Sequence, residues 1–259
     1  MEIVKIIILG LIQGLTEFLP ISSSGHLVIM QKIFNINQNQ LLISVLLHFG
    51  TLIPVLIIFR DDILEILSFK KEKNHFTFLI IIASIPTAIM GFFFEDFFEK
   101  LFSSTISTAL MLIVTGFILL IGDKLANYDR EITNFKWLNA VFVGIAQGIA
   151  IIPGISRSGS TITASLIQGL KKEEAARFSF ILSVPVIAGA GLLKVGEAFN
   201  TGVNNFNTTA IILGVISAII SGYVAIRYFI YILKKQKLIY FSYYCWIIGT
   251  IILLYEGLF

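Results

Sequence analysis

GLIQGLTEFLPISSSG at residues 10–25 and GIAQGIAIIPGISRSG at residues 144–159 align without a gap at an offset of 134 residues. Seven of the sixteen positions are identical: Gly10/Gly144, Gln13/Gln147, Gly14/Gly148, Ile21/Ile155, Ser22/Ser156, Ser24/Ser158 and Gly25/Gly159. The reactive side chains differ. Glu17, Ser23 and His26 of the first copy stand opposite Ile151, Arg157 and Ser160 of the second. A duplicated scaffold has been specialised, one half offering carboxylate, hydroxyl and imidazole and the other a guanidinium.

Working outward from the repeat, the surroundings are strongly apolar. Of 259 residues 56% are hydrophobic and 14% charged, and the mean hydropathy is +0.90; these values belong to an integral membrane protein. The N-terminal apolar run contains Gln13 and Glu17 and lacks a small-residue cleavage pattern, so no removable signal is read. A net charge of +3 is too small to imply nucleic acid. The single Cys245 reads as an inert thiol in the core or facing lipid.

Six runs outside the two motifs approach bilayer length, at about residues 41–59, 78–94, 105–122, 175–193, 209–232 and 241–257. Three follow each motif. The motif segments are interrupted by Pro20 and by Pro153-Gly154, and an interrupted helix leaves backbone groups that lipid cannot satisfy. Each motif is therefore expected to form a re-entrant hairpin of two half-helices buried in protein. The expected fold is all-α, a single membrane domain over 1–259 built of two inverted repeats, 1–125 and 135–259. Each repeat holds one broken hairpin and three crossings, an odd number that turns the second repeat upside down.

Charge supports that arrangement. Segments 60–75, 123–137, 171–177 and 227–237 hold 14 of the 19 Lys and Arg residues, whereas the opposite side keeps Lys5, Lys32, Lys100 and Lys194. By the positive-inside rule both termini, the first hairpin and the polar loop 200–208 lie outside, and the second hairpin enters from the cytoplasm.

Gln13 and Glu17 share a helix face, and Pro20 ends that helix so that Ser22, Ser23 and Ser24 form the turn before Gly25-His26. In the second hairpin Ser156, Ser158, Ser160 and Thr161 surround Arg157 at a half-helix start. Two helix N-termini with an arginine suit a multiply charged anion, and a forked guanidinium matches phosphate oxygens. A charge at the bilayer centre costs about 2.5–3.5 kcal/mol on the insertion scale, so Glu17 and Arg157 are expected to function rather than merely pair. Capping and packing account for the serines other than Ser23. His48 is assigned a hydrogen bond to a neighbouring helix. Glu95, Asp96 and Glu99, set among phenylalanines, read as an interfacial helix end rather than a metal site.

These residues resemble the bacterial undecaprenyl-pyrophosphate phosphatases, the family associated with bacitracin resistance. The match rests on QGLTEFLPISSSGH at 13–26 and on P-G-x-S-R-S-x-x-T, present whole from Pro153 to Thr161; repeat, spans and size extend it over the full length. The resemblance implies release of phosphate from a polyprenyl pyrophosphate at the outer face of the bacterial plasma (inner) membrane, recycling the lipid carrier of cell-wall synthesis. It implies catalytic roles for Glu17, Ser23, His26 and Arg157 and substrate contacts from Gln13, Ser22, Ser24, Ser156, Ser158 and Thr161. A divalent cation, Mg or Ca, would sit on Glu17. Position 13 is glutamine where some relatives have glutamate, so this helix offers one carboxylate rather than two. The competing reading is a secondary transporter or lipid flippase, since inverted repeats with broken helices are common there. Monomer and homodimer both stay open, as do serine attack and water attack.

Overall fold

Proline decides where the first helix stops. In the computed structural model α1 runs from Glu2 to Phe18, and Leu19 turns extended at φ −71°, ψ 143°, the region to which a following proline confines its neighbour. The chain reverses through Pro20 and Ile21 and enters α2, Ser23–Ile33, capped by Ser22. The second break has the same plan. Helix α8, Trp137–Ile149, ends before Pro153, Gly154 takes φ +96°, and α9, Arg157–Ile167, starts behind the Ser156 cap. The expected serine turn is shorter than sequence suggested, because Ser23 and Ser24 already belong to α2. A capping serine lets the helix begin at the next residue.

The remaining elements are α3 (Gln40–Ile58), α4 (Arg60–Leu67), α5 (Asn74–Phe93), α6 (Glu95–Phe102), α7 (Thr105–Leu125), α10 (Lys172–Thr201), α11 (Thr208–Lys235) and α12 (Ile239–Leu258). The structure describes residues 1–36, 39–68, 74–102, 104–126, 130–201, 207–235 and 237–258. Lys70, Lys71, Lys73 and positions 202–206 of the polar loop fall outside the described residues. Among those described the chain is helical apart from its turns, a 3-10 segment at Ile132–Asn134 and one isolated parallel bridge between Arg130 and Leu170.

Six helices, α3, α5, α7, α10, α11 and α12, are long and apolar enough to cross a membrane, and they coincide with the six expected spans. Some are longer than the apolar runs. α10 has 30 residues, about 45 Å at 1.5 Å per residue, because the helix extends past the apolar run at both ends, from Lys172-Glu173-Glu174 before it to Thr201 after it. Outward faces carry Ile57, Phe92, Phe117, Ile220 and Leu254, all exposed, as expected of side chains meeting lipid. The protein is a multi-pass integral membrane protein.

Small residues set the packing that holds the two broken helices. α1 lies along α11 and α8 along α5. A Cβ on Gly10 would fall 2.0 Å from the Gly214 carbonyl oxygen, and one on Gly144 2.2 Å from that of Ala83. Only glycine permits backbones this close, which is how membrane helices gain contact without a hydrophobic driving force between them. α3 packs on α10 and α11, and α7 on α12. Outside the spans, Arg130 bonds both neighbours of Leu170 through its backbone, and Lys171 donates to Glu131 at 2.7 Å. That bond holds the exposed Glu131 carboxyl below its ordinary range.

Candidate active site

The two breaks meet. Each leaves a half-helix whose first residue faces the same acid: Ser23 begins α2 and Arg157 begins α9. Glu17, in the last turn of α1 and 5% exposed, receives both. Arg157 Nη2 donates to Oε1 at 2.5 Å. Ser23 Oγ donates to Oε2 at 2.5 Å, and Gln13 Nε2, one turn back along α1, donates to the same oxygen at 2.9 Å. His48 Nε2 of α3 lies 3.4 Å from Oε2. The carboxylate thus carries a guanidinium on one oxygen, with a hydroxyl, an amide and an imidazole edge on the other.

Caps and struts hold the two breaks together. Ser22 Oγ accepts from Gly25 N at 3.2 Å and Ser156 Oγ from Gly159 N at 3.1 Å. The amides of Ser23 and Ser24 in α2, and of Arg157 and Ser158 in α9, precede any intrahelical acceptor, so each half-helix start presents N–H groups and a positive dipole end. Ser22 achieves its cap at φ +67°, a left-handed conformation uncommon for a residue with a side chain. Ser24 Oγ lies 3.3 Å from Ser22 Oγ, and Ser158 Oγ lies 3.3 Å from Ser156 Oγ. Ser158 also donates to the Leu19 carbonyl at 3.0 Å, bracing one hairpin against the other. Thr115 of α7 supports the second break by donating to Gly154 O at 2.8 Å and accepting from Ser156 N at 3.0 Å. Arg157 Nη1 rests on the Ser179 carbonyl at 3.2 Å, and Thr161 Oγ1 lies 2.6 Å from Ser179 Oγ.

Gln13, Ser23 and Arg157 each contact Glu17; the sequence predicts that these residues share one polar region, and the direct Glu17–Arg157 ion pair goes beyond it. Ser22, Ser24, Ser156, Ser158 and Thr161 line or brace the breaks. His26 stands one turn into α2, where its ring nitrogens meet the Ser22 carbonyl at 2.7 Å and the Tyr244 hydroxyl at 2.8 Å; the bonds recorded for it are to these two groups rather than to Glu17. His48 needs a correction of emphasis, because the group it approaches on the neighbouring helix is the central acid itself. Ser179 and Tyr244 were not singled out. His48 and Ser179 do share a sequence signal: each lies six residues before a proline inside a span, Pro54 of α3 and Pro185 of α10. Aligning those prolines pairs the residues that touch Glu17 and Arg157.

A divalent cation takes oxygen ligands, and one atom here wants a partner. Gln13 Oε1 is buried without a hydrogen bond, beside the acid its own Nε2 contacts. Among the described residues no group of three His, Cys, Asp or Glu could hold a metal. Glu17 and Gln13 Oε1 are the oxygen donors the site offers, and a cation held there would take its remaining ligands from water and substrate oxygens, the usual mode for magnesium.

Fold and site together define a multi-pass membrane protein with a polar centre of one acid, one arginine and several hydroxyls, enclosed by two broken helices. Comparison with known sequences makes the assignment specific. The family described as Bacitracin resistance protein BacA matches residues 6–251, and the chain belongs to that family. It is 57% identical over 259 residues, all of both chains, to a protein of Halothermothrix orenii named undecaprenyl-diphosphatase. A protein of the same name from Carboxydothermus hydrogenoformans is 47% identical over 97% of this chain and 96% of its own length. Another, from Methanobrevibacter smithii, is 38% identical over 97% of each.

Proposed function

We propose that this protein is a membrane phosphatase that hydrolyses undecaprenyl pyrophosphate to undecaprenyl phosphate and orthophosphate. The observation that carries the reading is the shared carboxylate: Glu17 holds Ser23 Oγ on one oxygen and Arg157 on the other, each at 2.5 Å. A hydroxyl bonded to a carboxylate has a base in place, and a guanidinium beside it supplies phosphate binding. Transport of a lipid would require neither.

The pyrophosphate competes with Glu17 for Arg157. Two phosphates offer the guanidinium more charge than one carboxylate does, and the half-helix amides and the cap hydroxyls of Ser22, Ser24, Ser156 and Ser158 add donors. Once Arg157 moves to the substrate, Glu17 keeps Ser23 and gains basicity. Ser23 Oγ then attacks the terminal phosphorus in line, its proton passing to Glu17 Oε2 as the bridging P–O bond breaks. The leaving group is a phosphate monoester, stable as an anion on Arg157, so it needs no proton on departure. Water then attacks the phosphoserine, Glu17 returns its proton to Ser23 Oγ as that P–O bond breaks, and the water proton is taken up at His26 Nε2 by way of the hydroxyl bonded to it. Thr161 keeps Arg157 in place through Ser179. Should a divalent cation take part, Glu17 and Gln13 Oε1 would hold it, and it would neutralise phosphate charge.

The inverted-repeat topology, with the site reached from the outer face, belongs to the same proposal. Supporting it, α1 of the first repeat packs on α11 of the second while α8 of the second packs on α5 of the first, each through a repeat glycine. The isoprenoid tail stays in lipid between spans. Phosphate release from undecaprenyl pyrophosphate by the purified protein in detergent tests the function, with Glu17→Gln as the control expected to release none; a wild-type protein that releases none contradicts it.

A further inference from the structure

His26 is fastened at both ring nitrogens. Its Nδ1 lies 2.7 Å from the Ser22 carbonyl oxygen and its Nε2 2.8 Å from the Tyr244 hydroxyl. A carbonyl oxygen only accepts, so Nδ1 carries the hydrogen and Nε2 is the nitrogen at which a proton comes and goes. The Tyr244 ring also stacks on the imidazole, with centroids 5.7 Å apart and planes 12° apart. The next residue ties α12 to the same break, since buried Cys245 places its sulfur 4.0 Å from the Pro20 carbonyl. Tyr244 is thereby seated by the turn that seats His26.

We propose that Tyr244 serves the phosphatase reaction by fixing the plane of the His26 imidazole from the Nε2 side and by handing the proton to Nε2. The proposal rests on the phosphatase reading above. A phenol suits the task because its oxygen serves both protonation states. It donates to the lone pair of neutral Nε2, and when its hydrogen passes to Nε2 it takes one from the water in exchange and then accepts from Nε2–H. Stacking alone orients the ring face but leaves it free to turn about the bond to Cβ. The Ser22 contact comes from a strained turn on the same half-helix, so Tyr244 supplies the restraint that originates outside the hairpin.

The test uses the full-length protein in detergent with undecaprenyl pyrophosphate, measuring kcat and KM by phosphate release for wild type, Tyr244→Phe, His26→Gln and the double variant. Phenylalanine keeps the stack and removes the hydroxyl. The expected result is a fall in kcat of about tenfold, the cost of one lost hydrogen bond at a reacting group, with KM essentially unchanged. In the His26→Gln background the same substitution adds no further loss, since its effect runs through the imidazole. Wild-type kcat in Tyr244→Phe, or a loss that multiplies with that of His26→Gln, overturns the proposal. An inactive wild type overturns the phosphatase reading and this proposal with it, whereas an active wild type with an indifferent Tyr244→Phe overturns Tyr244 alone. If Tyr244→Phe does not fold, nitrogen NMR of imidazole-labelled protein containing 3-fluorotyrosine, assigned with His26→Gln, decides: a more acidic phenol strengthens its bond to Nε2 and shifts that resonance, whereas an unmoved Nε2 resonance overturns the proposal.

Discussion

Ser23 and Arg157 occupy equivalent positions of the two repeats, 134 residues apart, and each is the first residue of its half-helix. Both reach the same carboxylate, one oxygen each, at 2.5 Å. The two repeated sequence motifs thus bring two unlike side chains, a hydroxyl and a cation, to one carboxylate.

The hydroxyl defines the first prediction. Ser23→Ala removes the nucleophile, so acid quenching of the variant during turnover traps no phosphoprotein while wild type yields a phosphoserine at position 23. Phosphate release falls by about 10³-fold or more, the scale seen when an activated nucleophile is lost from an intact site. Full activity in Ser23→Ala shifts the attack to water activated by Glu17.

His48 is the second. It approaches the same Glu17 oxygen as Ser23 and has its Nδ1 on the Ser44 carbonyl at 2.7 Å, so the ring edge that steadies Glu17 is fixed by its own helix. His48→Ala is expected to lower kcat/KM by about tenfold, in keeping with the loss of one polar neighbour of Glu17. His75→Ala, exposed at the start of α5, leaves it unchanged. Equal activities in the two variants would show that Glu17 is held without His48.

Much of this was legible in the sequence, and the reasons are local. Pro20 and Pro153-Gly154 forbid continuous helices, the six apolar runs have bilayer length, and Glu17 and Arg157 are too costly in a membrane to be idle. Tyr244 was not legible, because one tyrosine in an aromatic run carries no sign of which neighbour its hydroxyl will meet. His48 was visible yet underrated, since a histidine in a span has many ways to be satisfied. Its contact with Glu17 depends on how α3 crosses the tip of α1, a tertiary relationship that periodicity does not encode. The start of α2 was displaced by two residues for a simpler reason: sequence shows three serines, and only geometry shows which one is the cap.

Packing yields the third prediction. Gly10→Ala drives a methyl into the Gly214 backbone, where a Cβ has 2.0 Å of space, whereas Gly189→Ala in α10 meets nothing within 4 Å. The first is expected to destabilise by about 1–3 kcal/mol, the cost of overpacking. The second is neutral or gains up to about 1 kcal/mol from helix propensity. Unfolding midpoints in detergent measure both, and similar midpoints would contradict the close approach of α1 and α11.

Chelation is the fourth. Glu17 is paired with Arg157, so under the proposed mechanism a cation would join the site together with the pyrophosphate. EDTA is expected to abolish phosphate release, Mg or Ca to restore it, and the unfolding midpoint of the substrate-free protein to stay where it was. Activity that survives the chelator removes the cation from the mechanism, and a midpoint that falls with chelator places a resident metal in the fold.

The central claim is that the Glu17–Arg157 pair is a resting contact which the pyrophosphate breaks in order to be hydrolysed. Phosphate release from undecaprenyl pyrophosphate, compared among wild type, Arg157→Lys and Arg157→Ala after each variant is shown to be folded, tests it most directly. Wild type should turn over, the lysine variant should lose about 10²-fold or more because a point charge replaces a planar fork, and the alanine variant should be silent. An alanine variant as active as wild type would mean that the guanidinium serves only to hold the two hairpins together.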